Sequence, residues 1–92
     1  RYPAVYRDIS LIAPEDMTIN EISKLIRQLS PALVTSVRLF DIYKGKNIPQ
    51  GHRSLSFTLE YRHPDRTLSD DEVDELHNEL RAQIVSKGLK LR

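Results

Sequence analysis

The segment that decides the fold is RSLSFTLEYR, residues 53–62. Its apolar residues Leu55, Phe57, Leu59 and Tyr61 alternate with polar residues without a break. A period of two is typical of a β-strand with one face on the core and the other in water. The segment therefore predicts an antiparallel sheet that keeps one face open to solvent.

One amphipathic helix is predicted before this strand in the sequence, and a second one after it. The first runs from Thr18 to Leu29 and begins with a capping box, TINE, in which Thr18 is the N-cap and Glu21 follows three residues later. A second capping box, SDDE, begins another helix at Ser69, and Gly88 is expected to end it. Each helix has one apolar stripe, which must pack against the sheet. The stripe of the second helix consists of Val73, Leu76, Leu80 and Ile84.

Three further segments are predicted to be strands. They are AVYRDISLIA (4–13), LVTSVRLFDIY (33–43) and the short LKLR (89–92). In the first, Arg7 interrupts an otherwise apolar face, and Pro14 is expected to end the strand.

The strand at 33–43 does not alternate cleanly. Val37 and Leu39, which suit a core, have the same parity as Asp41 and Tyr43. A β-bulge within the strand, or cover on both of its faces, would explain this pattern.

The order of elements is therefore β-α-β-β-α-β. Two helices on one face of a four-stranded antiparallel sheet bury the apolar stripe of each helix and the apolar face of the sheet, as in the ferredoxin-like sandwich of the α+β class. The 92 residues are expected to form a single domain, 1–92, which is expected to be a fragment of a longer chain.

The charges are segregated along the chain although the net charge is only +1. Acids are absent between Glu21 and Asp41 and between Asp41 and Glu60, whereas Asp70–Glu79 has six acids and no base. This predicts a positive side that attracts a phosphate-rich partner. Chance clustering of solvated charges is the alternative.

Several functional classes are disfavoured. The chain has no cysteine, which excludes disulfides, thiolate metal sites and cysteine nucleophiles. The segment GHRSL (51–55) is not a G-x-S-x-G elbow, and no phosphate-binding or dinucleotide-binding glycine loop is present. No histidine or carboxylate pattern indicates a metal site, and no apolar run is long enough to span a membrane. His77 is expected to be exposed or to lie at the edge of the helix stripe.

The open sheet face is the best candidate for a binding site. An aromatic ring on such a face can stack on an unpaired base, and the two carboxylate oxygens of Asp41 match the two donors on the pairing edge of guanine. The alternative is that Tyr43 is only a surface aromatic at a strand end and that Asp41 accepts from a loop amide. The aromatic signature of common RNA-recognition modules is absent. By parity, the residues that can share this face are Tyr6, Asp8, Ser10, Asp41, Tyr43, Ser54, Ser56 and Arg62.

Several motifs resemble one family in order and spacing. They are YPAVYRDISL (2–11), LFDIYKGKNIPQGHRSLSFTLEYRHPDRTLSDDEV (39–73) and GLKLR (88–92). Over essentially the whole chain, the sequence resembles the C-terminal ferredoxin-fold anticodon-binding domain of the phenylalanyl-tRNA synthetase beta chain. The family pattern includes F-D-x-Y, then G-x-[KR]-S, then R-T-L-x-[DE]-x-E.

The resemblance implies a set of RNA-binding residues. Asp41, Tyr43 and Ser54 would lie at the first anticodon base, a G, with Ser10 beside them. Arg7 and Arg66 have an alternative structural role, in which each pairs with the neighbouring Asp8 or Asp65. The weaker candidates for phosphate contact are Arg7, Lys44, Lys46, Arg53 and Arg62.

The resemblance also implies partners. These are the anticodon stem-loop of tRNA(Phe) and the remaining domains or the alpha subunit of the synthetase, with no membrane. The parent would be an ATP-dependent phenylalanine–tRNA ligase that binds ATP and Mg in its catalytic part, whereas this domain would need no cofactor and catalyse nothing. The expected location is the cytoplasm, with mitochondrion and plastid open. The competing hypotheses are a ferredoxin-like protein-interaction or ligand-sensing module, and the same fold reused in a protein that is not a synthetase.

Overall fold

Two helices lie on one face of a four-stranded antiparallel sheet in a computed structural model that describes residues 2–92. The strand order is β2-β3-β1-β4, which is the predicted ferredoxin-like arrangement. Each predicted strand or helix lies within one or two residues of its observed position. The elements are β1 (Val5–Pro14), α1 (Ile19–Leu29), β2 (Val34–Tyr43), β3 (His52–Tyr61), α2 (Asp70–Ser86) and β4 (Lys90–Leu91).

The core lies between the sheet and the helices. The alternation in β3 is confirmed, because its four apolar side chains are fully buried on the helix side. The helix stripes cover them, although Leu76 is only partly buried. The buried helix residues that contribute to this core are Ile22, Ile26, Val73, Leu80 and Ile84.

The predicted capping box of α1 is complete. The Glu21 amide donates to the Thr18 hydroxyl, and the Thr18 amide donates to the Glu21 carboxylate, both at 3.0 Å. These two bonds lower the pKa of Glu21. They fix where α1 begins and therefore how its apolar stripe meets the sheet.

The second capping box differs from the prediction. The Ser69 hydroxyl accepts from the Glu72 amide at 3.2 Å, but the Glu72 carboxylate pairs with Arg66 at 2.8 Å. The expected pairing of Arg66 with Asp65 was therefore wrong. Glu72 lies in the first turn of α2, and the helical conformation brings its carboxylate close to the Arg66 guanidinium.

A bulge in β2 explains the imperfect alternation noted in the sequence. Leu39 is opposite Phe57 on the core side, whereas Asp41 is opposite Ser56 on the open side. The register shifts between them, and the extra residue Phe40 has no partner and is 57% exposed. If β2 alternated regularly through Phe40, Asp41 would share the face of Leu39, two residues earlier, and would point toward the helices.

Helix α1 is fastened to the edge strand β2 by Arg27. Its guanidinium donates to the Ser23 hydroxyl at 2.8 Å and to the Val37 carbonyl at 3.1 Å. A second register shift lies nearby, between Val34 and Ser36. The edge of the sheet is therefore irregular in two places and covered by a side chain in a third.

His77 is buried rather than exposed, with 6% of its surface accessible. One ring nitrogen lies 2.8 Å from the Tyr61 hydroxyl and the other 2.9 Å from the Asp8 carbonyl. The helical spacing from Val73 to His77 is four residues, so the ring lies on the same stripe as the apolar side chains. That spacing was the signal that could have placed it in the core.

Candidate nucleic-acid interface

The sheet face away from the helices brings the predicted polar residues together at one end. Asp41 and Ser10 lie on either side of Ser56, and Tyr43 lies opposite Ser54 in the next row. Four predicted residues are thus neighbours on three adjacent strands. We call this group the Tyr43 site, and its members are Asp41, Tyr43, Ser54 and Ser10.

The floor of the Tyr43 site is formed by serines. The hydroxyls of Ser10 and Ser56 lie 2.7 Å apart, and Ser54 and Ser56 are almost fully buried. Because serine side chains are short, the longer side chains of Asp41 and Tyr43 stand at the border of a low surface. Asp41 is exposed and Tyr43 is partly exposed, so both can meet a ligand.

Arg92 is a site residue that the sequence reasoning missed. Its amide donates to the Ser10 carbonyl at 2.9 Å, and its guanidinium donates to the Ser54 hydroxyl at 3.2 Å. The guanidinium carbon lies 4.8 Å from the centroid of the Tyr43 ring, which is a cation–π contact. The signal was the alternation in LKLR (89–92), because a strand with its leucines inward places the last arginine on the open face.

The loop after β2 approaches the Tyr43 ring closely. The Tyr43 hydroxyl lies 3.4 Å from the Lys46 carbonyl, which makes a long hydrogen bond. Gly45 has a φ of +138°, and a Cβ atom built there would lie 3.1 Å from the Tyr43 hydroxyl. The glycine therefore permits both the turn and the close approach.

Two of the basic candidates have structural partners at this end of the sheet. Lys44 pairs with Glu15 at 2.9 Å, and this contact lowers the pKa of the Glu15 carboxyl. The Arg53 guanidinium donates to the carbonyls of Pro14 and Met17, at 3.1 and 2.8 Å. Arg53 therefore holds the turn between β1 and α1.

Arg7 lies on the helix side of the sheet, away from the Tyr43 site. It pairs with Asp74 at 2.9 Å and with Asp70 at 3.2 Å, both on α2. The hydrogen bond to Asp74 raises the pKa of Arg7. The expected partner Asp8 was wrong, because neighbouring residues of a strand point to opposite faces.

The remaining basic residues differ in how firmly they are held. Arg62 donates to the Tyr2 carbonyl and lies 3.7 Å from the Glu60 carboxylate, at the far end of β3. Lys46 is exposed beside the Tyr43 loop, and its side chain makes no ion pair within residues 2–92. Arg38 is likewise exposed and unpaired there, and the sequence reasoning did not include it among the site residues.

Comparison with known proteins places this chain in a family. Residues 1–92 match the ferredoxin-fold anticodon binding domain. The chain belongs to this family.

Relatives of this family member are beta subunits of phenylalanine–tRNA ligase. The protein from Trichormus variabilis is 50% identical over 92 residues, which cover 99% of this chain and 11% of the relative. A protein from Synechococcus is 50% identical over 86 residues, with 94% and 10% covered. The protein from Symbiobacterium thermophilum is 40% identical over 92 residues, with 100% and 10% covered. The chain thus spans about a tenth of the length of these relatives.

Residues 2–92 contain no group of three or more His, Cys, Asp or Glu side chains arranged to hold a metal ion. No helix in the same range is long and apolar enough to cross a membrane.

Proposed function

We propose that this chain is the C-terminal domain of a phenylalanine–tRNA ligase beta subunit and that it binds the anticodon stem-loop of tRNA(Phe). In this proposal residues 1–92 form a single domain of a longer chain that works in the cytoplasm with an alpha subunit. Family membership and the similarity to phenylalanine–tRNA ligase beta subunits support the assignment. ATP and Mg would be bound by the catalytic part of the ligase, outside this domain.

The observation that carries the proposal is the juxtaposition of Asp41 and Tyr43 on one open face. Asp41 offers two acceptor oxygens to the ring N–H and the exocyclic amine of guanine, and Tyr43 offers a ring for stacking. Their positions are opposite Ser56 and Ser54, whose neighbouring hydroxyls line the floor. The bulge at Phe40 places both side chains on this face.

Arg92 must move when a base stacks on the ring face that it covers. Its guanidinium carbon lies 4.8 Å from the Tyr43 ring centroid. Stacked bases are separated by about 3.4 Å, so a base between the two groups would need about twice that distance. The arginine side chain has several rotatable bonds and can shift while its amide stays bonded to Ser10. After the shift, its charge is available to the RNA.

The domain would contribute binding free energy and base discrimination, without chemistry of its own. Stacking one base contributes about 1–3 kcal/mol, and contacts of Lys46 or Arg38 with phosphates would add a salt-dependent contribution that does not depend on sequence. With a net charge of +1, the domain is expected to bind weakly alone. Other parts of the ligase would then supply much of the affinity.

The test is an NMR titration of the protein with two hairpins. One is the tRNA(Phe) anticodon stem-loop with G as the first anticodon base, and the other replaces only that G with A. The expected result is a set of chemical-shift changes at Asp41, Tyr43 and Ser54 that is larger for the G hairpin. Equal shifts confined to lysines and arginines would refute base reading, and no shifts with either hairpin would favour an interaction module.

A matched pair of variants separates base recognition from charge. Asp41→Asn and Asp71→Asn each remove one negative charge, but Asp71 lies in the first turn of α2, in the helix layer. Asp41→Asn is expected to lose most of the preference for G over A, whereas Asp71→Asn retains it. If both variants kept the wild-type preference, the role assigned to Asp41 would be wrong.

A further inference from the structure

The open face continues beyond the Tyr43 site toward the other end of β3. Arg38 and Asp8 lie on either side of Thr58, and Tyr6 lies opposite Glu60 one row further. The two-residue period of β3 places this second group on the same face as Ser54 and Ser56. Neither Tyr6 nor Arg38 has a role in the Tyr43 site.

The Tyr6 ring is both accessible and held in place. The side chain is 56% exposed, and its hydroxyl donates to a Glu60 oxygen at 2.9 Å. The other Glu60 oxygen accepts from Thr35 at 2.6 Å, which fixes the carboxylate. Strand β4 pairs with β1 only at Leu11 and Ile12, so it does not reach Tyr6. The ring is thus a preformed aromatic surface on the open face.

Arg38 lies between this ring and the Tyr43 site. It is exposed on β2, opposite Thr58, and its side chain makes no ion pair or hydrogen bond within the described residues 2–92. A guanidinium presents a planar set of donors that matches a phosphate group. Because of its position and its lack of a carboxylate partner, Arg38 is suited to bind the phosphate backbone of an RNA strand that crosses the open face.

The distance between the two rings limits what can occupy them. Tyr43 is opposite Ser54 and Tyr6 is opposite Glu60, six residues further along β3. At about 3.3 Å per residue, the separation along the strand is about 20 Å. This greatly exceeds the rise of about 3.4 Å between stacked bases. Two bases that stack on these rings must therefore belong to a splayed single strand with other nucleotides between them.

We infer that Tyr6 is a second stacking position for an unpaired base of the RNA strand that occupies the Tyr43 site, with Arg38 bound to a phosphate between the two. The inference rests on the proposed function, because it assumes an RNA strand at Tyr43. It adds a direction to that strand, which would run across the sheet from β2 toward β1. Stacking on aromatic side chains tolerates any base, so this second position would add affinity without selecting sequence.

Two RNA probes test the inference on the 92-residue protein. One is the anticodon hairpin, and the other is the dinucleotide GpA, which is too short to reach both rings. Tyr6→Ala is expected to weaken hairpin binding about ten-fold and to leave GpA binding unchanged, whereas Tyr43→Ala weakens both. Tyr6→Phe retains the ring and is expected to bind the hairpin within about two-fold of the wild type.

The outcomes separate the inference from the proposed function. If Tyr6→Ala bound the hairpin like the wild type while Tyr43→Ala did not, the second position would be wrong and the Tyr43 site would stand. An equal loss for both probes in Tyr6→Ala would mean that Tyr6 acts through the sheet, which also overturns the inference. If Tyr43→Ala bound both probes like the wild type, the proposed function itself would fail.

A charge-matched pair tests the phosphate contact. Arg38→Gln removes one positive charge on the open face, and Arg81→Gln removes one on α2. Arg38→Gln is expected to reduce the slope of log affinity against log salt by about one, whereas Arg81→Gln leaves the slope unchanged. Equal slopes in the two variants would overturn the assignment of Arg38.

Discussion

Replacing His77 with glutamine is expected to change how stability depends on pH. Because the Asp8 carbonyl can only accept, the nitrogen 2.9 Å from it must donate, and the other ring nitrogen of the neutral ring then accepts from the Tyr61 hydroxyl. Protonation would put a hydrogen on both nitrogens and break the bond from Tyr61. His77→Gln retains a polar side chain at this position but cannot titrate.

The sign of the effect follows from the burial of the ring. Burial lowers the pKa of His77 below its ordinary value of 6.5, and the positive charges of Arg81 and Arg7 act in the same direction. The hydrogen bond to the Asp8 carbonyl and the charge of Asp74 oppose this change. The stabilising contribution is therefore complete above about pH 6.5 and is lost as the pH falls from there toward the pKa of the folded state.

The size of the effect can be estimated from the contacts. At pH 7.5, His77→Gln is expected to lower the free energy of unfolding by about 1–3 kcal/mol, because the fully buried Tyr61 hydroxyl loses its partner. The edge-to-face contact between the two rings, with centroids 5.8 Å apart, is lost as well. Below pH 6.5 the difference between the proteins is expected to narrow, by at most about 1.4 kcal/mol per pH unit for a single proton.

The free energies of unfolding of the wild type and of His77→Gln are measured between pH 7.5 and 5 by urea denaturation, with circular dichroism as the signal. The other titrating groups are common to the two proteins, so the difference between their free energies of unfolding isolates His77. A difference that stays constant over this range would refute the argument that the folded state holds His77 neutral. Tyr61→Phe provides a check, because it removes the same hydrogen bond and retains the histidine.

Three further predictions follow from the bulge, the glycine turn and the ion pairs. Deleting Phe40 is expected to retain hairpin binding, because Asp41 and Tyr43 stay opposite Ser56 and Ser54 in a ladder without the bulge, and loss of binding in a folded variant would contradict the register. Gly45→Ala is expected to lower the melting temperature by at least about 4–8 °C, since φ is +138° and the ring is close, and an unchanged melting curve would disprove the strain. Arg7→Gln is expected to cost about 1 kcal/mol in urea denaturation and less in about 1 M salt, and an equal cost in both would show that charge is not the cause.

The fold could be predicted from the sequence because the patterns that indicate it are local. The period of two in β3 and the capping box at Thr18 depend only on neighbouring residues, and they gave the element order and the open face. The bulge was recognised as one of two explanations for the pattern around Asp41. Only the structure identifies Phe40 as the extra residue, because the choice depends on which partner in β3 each residue meets.

The partners of charged side chains were harder to predict because they depend on distances in the folded structure. Arg7 and Arg66 were each expected to pair with a neighbour in sequence, yet both reach carboxylates on α2. Arg92 joins the Tyr43 site only because β4 returns beside β1. Sequence spacing cannot supply such contacts, whereas it did predict which side chains of β1 and β3 share a face.

The contact between Arg27 and the edge strand has a consequence for behaviour at high concentration. An exposed edge invites another molecule to add a strand and start an intermolecular sheet. Here the carbonyl of Val37 is already occupied by the guanidinium, and the register shifts on either side of it interrupt the straight ladder that an added strand would need. Removing the Arg27 side chain would expose that carbonyl, so we expect the protein to self-associate more readily without it.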